Sequence, residues 1–229
     1  MTAKINKRPP DPFGDDEDVL DIQCRPAVTD DFPQIAFLAA GLLNRVFGPT
    51  VGHGGVEVQD AVLDCLKARL RHDCTWVMIE GDTVIGMIDL ETSETRRLNG
   101  ISLPRTVAMA LDLLENVEEA GLLPLLVHEP SPDEVHQSLV ALLPGSRGEG
   151  RGTLLLMHGA FWARAQGKNW MTAWVRRDDG YLPVYERRGY YVDRQVEARG
   201  SEGGETWLLM RRPISSTGYR SLREREKGK

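Results

Sequence analysis

The chain has 229 residues, 41% of them hydrophobic and 27% charged, and a formal net charge of −6. This is a globular composition with room for one large domain or two small ones. The negative balance argues against general nucleic-acid binding and slightly favours a cationic substrate, and no run approaches the roughly 20 apolar residues of a membrane span.

Residues 1–20 are polar, with an acidic cluster at Asp15, Asp16, Glu17 and Asp18, and are expected to form a flexible arm. Lys4, Lys7 and Arg8 have no apolar stretch behind them, so this start does not read as a secretory leader. Cys24, Cys65 and Cys74 have no metal-type spacing, which fits reduced thiols and a cytoplasmic location. A short strand over Ile22–Arg25 precedes a helix from about Asp30 to Phe47. Thr29, Asp30 and Asp31 are its cap candidates, and Phe32, Ile35, Leu38, Ala39, Leu42 and Val46 recur at helical spacing. Gly48–Gly55 reads as a glycine-rich loop and Val56–Arg71 as a second helix. Thr75–Ile79 and Thr83–Leu90 read as a hairpin turning at Glu80-Gly81-Asp82.

Residues 92–134 form a long insert with one expected helix, Pro104–Ala120, ended by Gly121. A strand over Val135–Leu143 follows, then a glycine-rich loop, then a helix over Thr153–Gln166, apolar on most sides and therefore packed on a sheet. Trp170–Val175 is the next strand and Gly180–Arg188 a short helix. Tyr190–Val192 and Thr206–Arg211 are closing strands around a polar loop, Arg199–Glu205; residues 213–229 are expected to be a flexible tail. One mixed α/β domain over residues 21–212 is the reading, with no repeat and no second core.

The most informative segment runs from Leu142 through Leu143, Pro144 and Arg147 to Thr153. It contains Gly148, Glu149, Gly150, Arg151 and Gly152. Three glycines alternate with charged residues where a strand hands over to a helix. The first N–H groups of a helix have no internal partner and lie at the positive end of its dipole, so this geometry suits a phosphate. There is no Gly-Lys-Ser/Thr and no Gly-x-Gly-x-x-Gly spacing, which sets aside a P-loop NTPase and a dinucleotide fold.

The pattern Arg147-x-x-Gly150-x-Gly152 resembles the Gln/Arg-x-x-Gly-x-Gly/Ala motif of the GNAT superfamily of N-acetyltransferases. Cys24-Arg25-Pro26-Ala27 with Asp30-Asp31-Phe32, the hairpin ending Val84-Ile85-Gly86-Met87-Ile88, and Tyr185-Glu186-Arg187-Arg188-Gly189-Tyr190 are similar to that family's other landmarks, in the same order. The resemblance implies one domain with a mostly antiparallel mixed sheet, splayed after the fourth strand into a V-shaped coenzyme site. It implies acetyl-CoA as co-substrate, its pantetheine arm on Leu142–Pro144 and its pyrophosphate on the N–H groups of Gly148–Thr153, with Arg147 and Arg151 adding charge. No metal is implied.

The implied reaction is direct attack of an amine on the thioester, with a backbone N–H near Leu142 for the oxyanion and Tyr185 as general acid. For the base, family members use a carboxylate on the fourth strand or a water relay. His136 falls near that position, with Glu134 its acidic neighbour on the same strand face; the alternative for each is a packed structural residue. Asp178-Asp179-Gly180 departs from the family pattern, which often has Asn there. His128, Glu129 and His136 match no familiar metal spacing, and Trp162, Trp170, Trp174 and Trp207 read as core. The acceptor is a small-molecule or protein amine, with no nucleic acid or membrane as partner. The insert shapes the acceptor site or a homodimer contact. The rival reading is a non-catalytic acyl-CoA-binding module on the same fold.

Overall fold

A computed structural model describes residues 22–51, 55–69, 74–100, 102–200 and 203–215. The expected arm, 1–20, lies outside these residues, as do most of the expected tail and parts of the two segments flanking the second helix. Strand β1 (Ile22–Pro26) leads into α1 (Phe32–Val51) and α2 (Gly55–Ala68). The hairpin β2 (Thr75–Glu80) and β3 (Thr83–Glu91) follows. The insert holds α3 (Ser93–Asn99), α4 (Leu103–Ala110), α5 (Leu114–Glu119) and α6 (Leu123–Leu126). Then come β4 (Glu134–Leu142), α7 (Arg151–Ala165), β5 (Trp170–Arg176), α8 (Leu182–Arg187), β6 (Tyr191–Gly200) and β7 (Gly203–Pro213).

The sheet order is β1-β2-β3-β4-β5-β7-β6, and every pairing is antiparallel except β4 with β5. One apolar cluster, with Ile35, Leu66, Leu103 and Leu139, joins α1, α2 and the insert to one face. The other, with Ile88, Leu155, Met171 and Tyr190, joins α7 and α8 to the opposite face. The alternation along β4 divides its side chains between them: Leu139 and Ala141 reach the first cluster, Val140 and Leu142 the second.

Four local expectations need correction. Helix α1 continues to Val51, into the expected glycine-rich loop: a glycine and a proline are a weak local signal and do not end it there. The single insert helix is broken into α4 and α5 at Asp112, which has φ 54°. The short closing strands around a polar loop are instead one long ribbon, paired from Tyr191↔Arg211 to Gly200↔Gly203. Polar residues exposed along β6 hide the alternation there. The domain also continues past 212: Ile214 is fully buried, and its N–H donates to the Asn169 carbonyl at 2.9 Å. The insert closes the edge of β6, where Arg199 N–H donates to the Ala120 carbonyl at 2.7 Å.

Candidate active site

β4 and β5 pair over only four residues, Glu134–Gln137 with Trp170–Ala173. Beyond Gln137 the two strands separate, and the gap is a cleft of about 890 Å³ that passes from the α7/α8 side to the α1/α2 side. A bulge sits at the point of separation. Asp89 lies opposite Leu139 and Leu90 opposite Gln137, so Ser138 is the extra residue of β4. Its hydroxyl donates to Asp89 Oδ2 at 2.6 Å. Asp89 is fully buried. It receives Arg69 at 2.6 and 3.2 Å and the Thr75 hydroxyl at 2.7 Å. Burial alone would raise its carboxyl; the Arg69 charge and these hydrogen bonds outweigh that and hold it below the usual range.

The strand edge facing the gap can be assigned from the ladder. Leu143 N–H donates to the Ile85 carbonyl at 2.9 Å, so it is already used. Antiparallel strands alternate the direction of their backbone groups, which turns those of Leu142 and Val140 away from β3 and toward the gap. Gly86 is opposite Leu142, and a Cβ there would lie 2.5 Å from Leu142 Cδ2 and 3.2 Å from the Ala141 carbonyl oxygen.

Beyond Pro144 the chain makes a short turn and then three successive residues of positive φ: Gly148 (95°), Glu149 (50°) and Gly150 (76°). Gly150 is the N-cap of α7, and the first bonds are Arg151 N–H to Gly148 O and Leu154 N–H to Gly150 O. Among the described residues no backbone acceptor takes the N–H groups of Gly148, Glu149, Gly150, Gly152 or Thr153. Such a curled run of N–H groups at a helix start is an anion-binding concavity. Leu142, Leu143, Pro144, Arg147, Gly148, Glu149, Gly150, Gly152 and Thr153 all line the cleft. Arg151 does not: its guanidinium is turned to Glu80 (2.8 Å) and Glu149 (3.3 Å), an ion pair the sequence spacing could not reveal.

Tyr185, from α8, lines the same cleft and stands edge-on to Tyr190, ring centroids 5.2 Å apart. Burial pushes its phenol upward, with Tyr190 and Asp179 adding to the effect, so the group is a neutral donor. Tyr190, pushed up by burial to about 12, donates to Gln137 Oε1 at 3.2 Å.

On the opposite face His136 lines the cleft while Glu134 is buried behind it. The Thr172 hydroxyl links them, donating to Glu134 Oε1 at 2.6 Å and lying 3.0 Å from His136 Nδ1. With the hydroxyl proton committed to Glu134, the network assigns the His136 proton to Nδ1 and leaves Nε2 as the basic nitrogen. His128 Nε2 donates to Glu134 at 2.7 Å, and its ring centroid is 4.3 Å from that of His136. Burial holds His136 well below its ordinary range, with the His128 and Arg96 charges adding to that. Burial would raise Glu134, yet the hydrogen bonds from His128 and Thr172 keep it low. The ligand atoms of His128, Glu134 and His136 lie within 4.8 Å of one another, so Glu134 and not Glu129 completes the set that could hold a divalent ion. In the structure hydrogen bonds join the three through Thr172.

Sequence reasoning missed Asp89, Ser138, Thr172 and the link through His128. Asp89 had a signal, an acid inside an apolar strand; Thr172 had none. Trp174 and Trp207, read as core, line the cleft as well as packing against the first cluster.

The acetyltransferase (GNAT) family model matches residues 43–190, well over half of the chain. Among solved structures the chain is similar to an acetyltransferase at 19% identity and TM-score 0.59, covering 84% of this chain and 100% of that one. It is also similar to an N-acetyltransferase from Staphylococcus aureus Mu50, at 20% identity and TM-score 0.57, covering 82% and 99%. A third is a protein from Salmonella typhimurium solved with its cofactor acetyl-CoA, at 16% identity and TM-score 0.56, covering 85% and 95%. No curated protein sequence matches the chain. Among the described residues no helix is long and apolar enough to cross a membrane.

Proposed function

Because the chain belongs to the acetyltransferase (GNAT) family, we propose that it transfers an acetyl group from acetyl-CoA to a primary amine by direct attack. The observation that carries this reading is the single cleft joining the free N–H groups of the Gly148–Thr153 loop, the unpaired edge of β4 and Tyr185. The loop takes the coenzyme's pyrophosphate, with Arg147 rather than Arg151 as the nearby charge. The edge at Val140 and Leu142 takes the pantetheine amides, and the Leu142 N–H takes the oxyanion that forms at the thioester carbon. His136 accepts the proton lost by the attacking amine, directly or through one water. Tyr185 donates to the sulfur as the carbon–sulfur bond breaks. Its raised pKa keeps the phenol protonated for that role and makes the hydrogen bond, ahead of full transfer, the stabilising contact.

Tyr185→Phe tests the assignment. It is expected to lower kcat by about 100-fold, the lower end of what a positioned acid contributes, with acetyl-CoA affinity by calorimetry unchanged. Unchanged kcat on every acceptor would remove Tyr185 from the reaction; acetyl-CoA binding with no turnover of any acceptor by the wild-type protein would favour the non-catalytic binding module.

A further inference from the structure

The acceptor half of the cleft is lined from α1, the start of α2, the insert and the two strands. Its walls are apolar: Phe37, Leu38, Leu42, Pro104, Leu125 and Trp174 are representative. Phe37 and Val56 stand 57% and 71% exposed at its mouth, large apolar surfaces left in water where a ligand would enter. Among the described residues the only carboxylates lining the cleft are Glu149 and Asp179, both on the coenzyme-loop side. The acids nearest His136 do not line it and already have partners: Asp89 with Arg69, Glu91 with Arg96 at 3.0 Å and Glu134 with His128. Among the described residues the charges that the acceptor-side elements bring to the cleft are cations: Arg45, which lies over the Tyr181 ring at 5.7 Å, and Arg176, paired with Glu205 at 3.2 Å. The negative charge of the whole chain is therefore not presented here.

Resting on the acetyltransferase reading above, we propose that the acceptor is a monoamine on an apolar body. Polyamines and other polycations are disfavoured. A second ammonium would meet apolar walls and Arg45 instead of a carboxylate, and would lose its water with nothing in return. This reverses the substrate preference that net charge alone suggests.

The test measures kcat/KM by free-thiol release at saturating acetyl-CoA, with phenylalaninamide, lysinamide and spermidine as acceptors. Calorimetry with acetyl-CoA is run alongside. Phenylalaninamide is expected to exceed both polycations by about tenfold or more, the scale of discrimination one pocket group supplies. Phe37→Glu, at an exposed position that tolerates a charge, is expected to narrow or invert that ratio with acetyl-CoA affinity unchanged. Spermidine or lysinamide turned over as well as phenylalaninamide would overturn the inference and leave the acetyltransferase standing, as would a ratio that Phe37→Glu does not move. Acetyl-CoA binding without thiol release from any of the three overturns it too. Failure to bind acetyl-CoA would overturn the acetyltransferase reading itself.

Discussion

Replacing Gly150 isolates the coenzyme loop from the rest of the fold. Gly150 has φ 76° and ψ 2°, and a Cβ built there meets nothing within 4 Å. The cost of Gly150→Val is therefore conformational and not a clash. A left-handed backbone costs an ordinary residue about 1–2 kcal/mol, with a β-branched one at the upper end. Gly150 is exposed, so the loop can relax to another conformation without disturbing either apolar cluster. Binding must then restore the left-handed turn, and about 1–2 kcal/mol is a factor of roughly 5–30 in the dissociation constant. Calorimetric titration with acetyl-CoA is expected to show that weakening, with little change in melting temperature. Gly150→Asn should lose much less, because asparagine tolerates the left-handed region. Wild-type affinity in Gly150→Val would show that the turn is not needed for the coenzyme and would remove the loop from the site.

Three further outcomes follow from groups outside the loop. Asp89→Asn takes the counter-charge at 2.6 Å from the Arg69 guanidinium, its side chain 6% exposed, and leaves it only Glu91 at 3.9 Å, which also pairs with Arg96. The variant should lose about 3–5 kcal/mol in urea unfolding, and Arg69→Met added to it should recover most of that; an unchanged midpoint in the single variant would deny the pair its role. His136 is held well below its ordinary value in the folded protein, while the unfolded chain takes up a proton near 6.5. Stability is then lost as pH falls below about 6.5, approaching 1.4 kcal/mol per pH unit. His136→Gln should abolish that component when midpoints are compared at pH 7.5 and 5.5, and parallel profiles for the two proteins would count against a buried neutral imidazole. Gly86→Ala pushes on Leu142 at 2.5 Å and on the Ala141 carbonyl at 3.2 Å. It should destabilise by about 1–3 kcal/mol, as overpacking does, with partial rescue by Leu142→Ala; additive losses would deny the contact.

The parts of this protein legible in the sequence are those whose physics is local. A helix start after a strand, with Gly148, Gly150 and Gly152 around it, announces free N–H groups because glycine permits the φ of 95° and 76° observed at the first two. The resemblance placed Tyr185 through its Tyr-Glu-Arg-Arg-Gly-Tyr motif and His136 by its distance from Arg147, and both line the cleft. Long-range pairing decides the rest. Arg151 reads as a phosphate ligand until Glu80, 71 residues earlier, is found holding it. Ser138 has no feature of its own; it is the bulge residue only because Asp89 sits opposite, fixed by Arg69.

The same distinction explains the acceptor side. Net charge sums over the whole chain, but recognition depends on which carboxylates stay unpaired and where they point. Asp89, Glu91 and Glu134 contribute three of the negative charges that suggested a cationic substrate, and each is buried against Arg69, Arg96 or His128. Those pairs hold the bulge at Ser138 and the tautomer of His136, so the acids act on the site from behind its wall. The surface they leave to a ligand is apolar, and that surface selects the amine.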